Sequence, residues 1–219
     1  MVQNNDIDYN FIRDIKKERS NPVKNHPFTN QQIADIKVYL EFNDPYLLTF
    51  IRVLAYSFLR NREVLRLQIK DVDLKNNLLT DKTKTKALEK IYIIKPLQKV
   101  FNELDIENCD QSDFVFTKFL KPGEWDTTLK AKKDFFSRRF KKVKDHFGFG
   151  IEYGIYSFRH SFALNIYENF ITEGMPEAEA MAKMLPITRH DSVDGLRNYL
   201  REKKKMLPKD YSHKITIDF

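Results

Sequence analysis

Tyr156-Ser157-Phe158-Arg159-His160-Ser161 opens a segment in which Phe158, Phe162 and Ile166 recur four apart. That spacing puts three apolar side chains on one helical face and predicts a buried helix from Ile155 to about Phe170. Arg159 at the start of such a helix is held in a fixed place, which suits a phosphate clamp. Read alone, it fits equally well a pairing with a nearby carboxylate. Downstream, His190-Asp191-Ser192-Val193 leads to Asn198-Tyr199-Leu200, with His190 and Tyr199 nine positions apart. Taken singly, Tyr199 reads as a half-buried helix tyrosine and His190 as a loop histidine.

Working outward, Pro176 to Met184 predicts a helix with Ala180, Met181 and Met184 buried, and Pro186 then precedes a loop to His190. Val193 to Arg201 predicts a short helix bearing Tyr199. Before the central segment, Thr127 to Phe147 is a basic amphipathic helix. Phe136, Phe140, Val143 and Phe147 stripe one side of it. Lys130 to Lys144 holds eight basic residues and one acid, which alone matches the +7 net charge of the 219-residue chain. A face that needed only solubility would mix both signs, so Lys130, Lys132, Lys133, Arg138, Arg139, Lys141 and Lys142 are expected to contact a phosphate backbone.

Toward the N-terminus, Thr29 and Gln32 form a capping box for a helix with Ile33, Ile36 and Leu40 inward. Asp44-Pro45 breaks it, and Leu47 to Phe58 predicts a central buried helix. Another helix starts near Asn61, leaving Arg60 at the junction; read alone, Arg60 pairs with Glu63 on the surface. Leu78-Leu79-Thr80 and Ile91-Tyr92-Ile93-Ile94 read as strands joined by a basic hairpin, Asp81-Lys82-Thr83-Lys84-Thr85-Lys86. Lys82 and Lys86 on such a tip can reach a DNA groove, or else serve as a charged edge that prevents aggregation. Pro96 to Leu104 predicts a short helix. The fold class is α+β, mostly helical, with a small antiparallel sheet.

One cysteine, Cys109, excludes an internal disulfide and argues against a Cys-based metal site. There is no long uninterrupted apolar run and no signal-peptide pattern, so a soluble cytoplasmic protein with no membrane partner is expected. Residues 1–27 read as a linker or the remnant of something that preceded this domain, and residues 28–219 as one domain with a tail from about 203. Ile215, Ile217 and Phe219 give that tail an alternating apolar end, suited to a neighbouring subunit or to its own domain.

These segments together resemble the catalytic domain of the tyrosine recombinases of the phage-integrase type, from about Phe28 to Lys203. The first arginine segment of that family is matched by Arg60-Asn-Arg-Glu63-Val-Leu-Arg-Leu67-Gln-Ile-Lys-Asp71. The family's hairpin lysine is matched by Thr83-Lys84-Thr85, and its second arginine box by Tyr156-Ser-Phe-Arg159-His160-Ser161-Phe162-Ala163. His190 and Tyr199 match its later histidine and nucleophile. Three positions depart from the family: Tyr156 replaces the usual histidine, and Phe58 and Arg189 replace usual glycines. His160 is assigned to structure, capping or bonding nearby backbone.

The resemblance implies site-specific cleavage and rejoining of double-stranded DNA through a 3′-phosphotyrosine, for integration or excision of a mobile element. It implies a homo-oligomer, a tetramer, on DNA, and no cofactor or metal. Tyr199 would be the nucleophile. Arg60, Arg159 and His190 would steady the phosphate oxygens, Tyr156 would hydrogen-bond one of them, and Lys84 would protonate the leaving 5′-oxygen. Type IB topoisomerase-like cleavage and a DNA-binding module without catalysis remain the alternatives.

Overall fold

The computed structural model describes residues 25–81 and 89–203. Lys82, Lys84, Lys86 and the tail residues Ile215, Ile217 and Phe219 lie outside the described residues.

Helix α1 (Asn30–Asn43) begins where the sequence places it. Thr29 Oγ1 accepts from Gln32 N–H, and the Gln32 side chain accepts from Thr29 N–H. Asp44 caps the next helix, α2 (Pro45–Ser57), by accepting from Leu47 N–H. Pro45 fits the first turn because its missing N–H has no helical partner there. Helix α2 is apolar nearly all round and runs through the core, with Leu47, Phe50, Val53 and Leu54 fully enclosed.

A single turn, α3 (Asn61–Val64), follows. Three antiparallel strands come next: β1 (Val72–Asp73), β2 (Leu78–Asp81) and β3 (Glu89–Tyr92). Leu79 faces Ile91, and Asp81 faces Glu89 where the β2–β3 connection begins. Helix α4 (Lys95–Glu103) packs on α2, and α5 (Leu129–Phe147) carries the basic sequence. Helices α6 (Tyr156–Thr172), α7 (Glu177–Thr188) and α8 (Val193–Lys203) complete the described chain.

Two apolar clusters result. The larger gathers α1, α2, α4 and the inner face of α5, where the Phe50 and Phe136 rings stack at 4.0 Å between centroids. The smaller joins α6, α7 and α8 through Ala163, Tyr167, Met181, Met184, Leu196 and Leu200, together with Phe58 at the end of α2. Helix α6 belongs to both clusters, so its first turn lies on the seam.

Several boundaries differ from expectation: β3 ends at Tyr92, leaving Ile93 and Ile94 beyond it, and the helix from Asn61 closes at Val64. Helix α7 does not stop near Met184; it continues to Thr188 with Pro186 inside it. Proline removes one N–H, but the last turn is closed by other bonds. Thr188 Oγ1 donates to Met184 O, and the N–H groups of Arg189 and His190 both reach Leu185 O. Burial of Met184 and Thr188 outweighs the lost bond.

Phe136→Ala removes the ring that packs against Phe50, Phe116 and Tyr46. It is expected to cost about 3–5 kcal/mol, read as a lower urea midpoint with an unchanged slope.

Candidate active site and DNA-binding groove

Arg159 is 3% exposed, and its guanidinium crosses the seam between the two clusters. Nε–H donates to Phe58 O at 2.9 Å, Nη2–H to Thr188 O at 2.7 Å, and Nη1–H to Tyr156 Oη at 2.7 Å. Two of these acceptors are carbonyls at the C-terminal ends of α2 and α7, where the helix dipole favours a cation. Arginine has five N–H groups. One on each terminal nitrogen remains for a ligand, a fork suited to phosphate.

Arg60 caps α3. Its N–H donates to Glu63 Oε2 at 2.8 Å, and its Nη1–H to Glu63 Oε1 at 2.9 Å. The ion pair read from the sequence is therefore present. Its side chain is still 53% exposed and lines a groove shared with Tyr156. Tyr156 thus stands between the two guanidiniums.

His190 is half-buried. Thr188 Oγ1 lies 2.8 Å from its Nδ1 and spends its own proton on Met184 O. Nδ1 of neutral His190 must then carry a hydrogen, leaving Nε2 bare. Burial holds this imidazole well below its ordinary value, at about 4, with the charges of Arg159 and Arg60 acting in the same direction. Tyr199 is half-buried on α8. Burial pushes its phenol well above the usual tyrosine range, and the nearby Arg159 charge offsets only part of that. Its ring packs beside His190 at 4.8 Å and His160 at 5.1 Å between centroids.

His160 has a partner that the sequence reading did not name: its Nδ1 lies 2.5 Å from Tyr199 Oη. The signal was available, since His160 follows Tyr156 by four residues and shares its helical face. Their rings touch at 4.9 Å.

Arg189 was noted only as a departure, and its role was not legible in the chain. It is buried, with Nη1 bonded to Glu63 at 2.6 Å and Nη2 to Asp81 at 2.6 Å and Glu89 at 2.7 Å. Asp81 ends β2 and Glu89 starts β3, so one guanidinium ties both flanks of the hairpin to α3. Burial opposes Arg189's charge, but the Glu89 hydrogen bond and the charges around it hold its pKa above the ordinary value. Arg189 and Phe58 both adopt left-handed backbone, with φ of 59° and 54°. These are the two positions where the family usually has glycine, the residue that reaches this region without strain.

The basic helix divides by face. Lys133, Ser137, Lys141 and Lys144 line the groove of about 690 Å3 that also holds Arg60, Arg62, Arg66 and Tyr156. Lys130, Arg138 and Lys142 are exposed elsewhere on α5. Lys132 and Arg139 depart from expectation. Lys132 is 4% exposed, with its ammonium over the Phe114 ring at 3.1 Å from the centroid, and burial lowers its pKa. Arg139 makes two bonds to Asp44, at 2.5 and 2.8 Å. Both cations are committed internally because their helical positions turn toward the core. Arg62 and Arg66 also line the groove, with Arg66 Nε–H donating to Arg62 O just past α3, and the sequence reading did not name them.

Among the described residues, no cluster of His, Cys, Asp and Glu could hold a metal ion, and no helix is long and apolar enough to cross a membrane.

Residues 26–205 match the Phage integrase family, and the chain belongs to that family. Its fold is that of the tyrosine recombinase catalytic domains. XerA recombinase superposes with a TM-score of 0.56 at 16% identity, covering 81% of this chain and 60% of that one. The Tn1549 transposon integrase, in complex with a circular intermediate DNA, gives 0.61 at 16% identity, covering 88% and 65%. A lambda integrase dimer bound to a COC′ core site gives 0.62 at 13% identity, covering 92% and 55%. The chain therefore spans about three-fifths of the length of these proteins. No curated protein matches it.

Two measurements check this electrostatic arrangement. His190 is expected to titrate near pH 4 in the free protein. Adding short duplex DNA is expected to move that inflection upward in a 15N-detected NMR titration, because a phosphodiester offsets the two guanidiniums. Arg189→Met leaves Glu63, Asp81 and Glu89 without their shared cation. It is expected to cost about 3–5 kcal/mol in denaturant unfolding.

Proposed function

We propose that this protein is a site-specific DNA recombinase that cleaves and rejoins strands through a 3′-phosphotyrosine on Tyr199. The observation that carries the reading is the meeting of Arg60, Tyr156, Arg159, His190 and Tyr199 beside one basic groove. Arg60 and Tyr156 line the groove, Arg159 bonds to the Tyr156 hydroxyl and keeps two N–H groups outside its three bonds, and in this reading these donors bind the scissile phosphate. Its non-bridging oxygens gain charge in the transition state, where such donors bind most strongly.

His190 joins as a donor once the phosphate draws a proton onto Nε2. Lys84, outside the described residues, protonates the leaving 5′-oxygen. Lys133 and Lys141, with Lys130, Arg138 and Lys142 along the same helix and Lys82 and Lys86 on the hairpin, contact the duplex backbone. A 5′-hydroxyl from a second duplex then attacks the phosphotyrosine. That exchange needs two duplexes and four cleavable strands, which calls for a homo-oligomer, a tetramer, on double-stranded DNA. Integration or excision of a mobile element, carried out in the cytoplasm, is the process this serves.

The test uses a library of nicked duplexes of randomised sequence, whose cleavage releases a short fragment and traps the adduct. Wild-type protein is expected to form a covalent adduct, Tyr199→Phe none, and Arg159→Ala about 10²–10³-fold less. Absence of any adduct identifies a binding module. An adduct that religates only its own strand, never a second duplex, identifies topoisomerase-like cleavage.

A further inference from the structure

We propose that His160 is the general base that takes the proton of Tyr199, in the place where the first residue of the box, Tyr156, has no imidazole. The inference rests on the recombinase reading and adds a residue to its chemistry.

Three groups near the Tyr199 hydroxyl could accept its proton. Tyr156 is a phenol whose oxygen already accepts from Arg159 Nη1. His190 has its Nδ1 engaged by Thr188 and, once the bound phosphate has drawn a proton onto Nε2, has no free lone pair to take another. His160 Nδ1 points at Tyr199 Oη from 2.5 Å, at hydrogen-bond distance. It is 4% exposed, so water does not compete for the contact. It also sits one helical turn beyond Tyr156, with the two rings edge to face. The imidazole has in effect moved one turn along the same face of α6. Among the groups facing it are Tyr199 from α8 and Tyr156 from its own helix.

His160 is neutral with its proton on Nε2. As Tyr199 Oη closes on phosphorus, its proton passes to Nδ1. The Oη–P bond forms and the P–O5′ bond breaks. The 5′-oxygen leaves with a proton from the general acid, the role given above to Lys84. In rejoining, the 5′-hydroxyl attacks phosphorus while its proton returns to the deprotonated general acid; the P–O5′ bond forms, the phosphotyrosine bond breaks, and Nδ1–H returns its proton to the phenolate. Burial makes unaided ionisation of Tyr199 costly, so a base in contact with it matters more here than at an exposed tyrosine.

His160→Asn is the decisive variant, because an asparagine amide keeps a hydrogen-bonding group near Nδ1 but cannot take up a proton. On the nicked duplex that traps wild-type adduct, the rate of adduct formation is expected to fall about 10²–10⁴-fold. Duplex affinity should stay unchanged. Replacing Tyr199 by difluorotyrosine, whose more acidic phenol needs less help, is expected to restore most of the rate in His160→Asn but none in Arg159→Lys.

A rate within threefold of wild type, or failure of difluorotyrosine to rescue, overturns the proposal. Should His160→Asn fail to fold, the solvent isotope effect on the His160 protein decides instead. A normal effect that disappears with difluorotyrosine supports the base, and one that persists rejects it. Absence of adduct from wild-type protein itself would fall on the recombinase reading and not on His160 alone.

Discussion

The buried guanidinium of Arg159 is the contact on which the rest of this structure depends. A cation this deep in a protein is tolerated only where its donors find acceptors. Here the carbonyls of Phe58 and Thr188 and the hydroxyl of Tyr156 provide them. Phe58 closes α2, Thr188 closes α7, and Tyr156 opens α6. One side chain thus joins the large aromatic cluster to the small one and sets the distance between Arg60 on one side and His190 on the other. Two of its five N–H groups are left outside these three bonds.

A second set of bonds follows from a backbone cost. Phe58 and Arg189 take left-handed conformations that side chains rarely adopt, at positions where the related family usually has glycine. Each is held by its side chain. Phe58 fills the small apolar cluster, and Arg189 meets Glu63, Asp81 and Glu89. The Arg189 cluster is buried, so its carboxylates respond unequally. Burial opposes the charge of both Glu63 and Asp81; bonds from Arg60 and Arg189 leave Glu63 below its ordinary value, while Asp81 stays above its own. Through Glu63 the cluster reaches Arg60, and through Asp81 and Glu89 it reaches the base of the hairpin. A residue that looks like an intrusion thus connects three parts of the site.

The DNA-free protein holds its site in an uncharged state on the side of the tyrosine. His190 is neutral at ordinary pH and the Tyr199 phenol keeps its proton, because burial disfavours the ion in each case. The two guanidiniums supply the positive charge. A bound phosphodiester would change the balance for both groups at once, raising the affinity of His190 for a proton.

Much of this was legible in the chain. The capping box at Thr29 and Gln32 fixed the start of α1 because local hydrogen bonds need only local sequence. The apolar run of α2 and the phenylalanine stripe of α5 announced their buried faces for the same reason, and the box around Arg159 with His190 and Tyr199 named residues that the fold brings near one another. What the chain could not show was which of several like residues face which way. Lys132 and Lys133 are neighbours of the same type, yet one lies over Phe114 and the other on the groove. His160 gained its partner only when α8 folded across α6, and Arg189 gained its three carboxylates only when the sheet met α3. Periodicity sets the face of one helix; the pairing of charges and protons between helices is decided by packing, which sums contacts from residues a hundred positions apart.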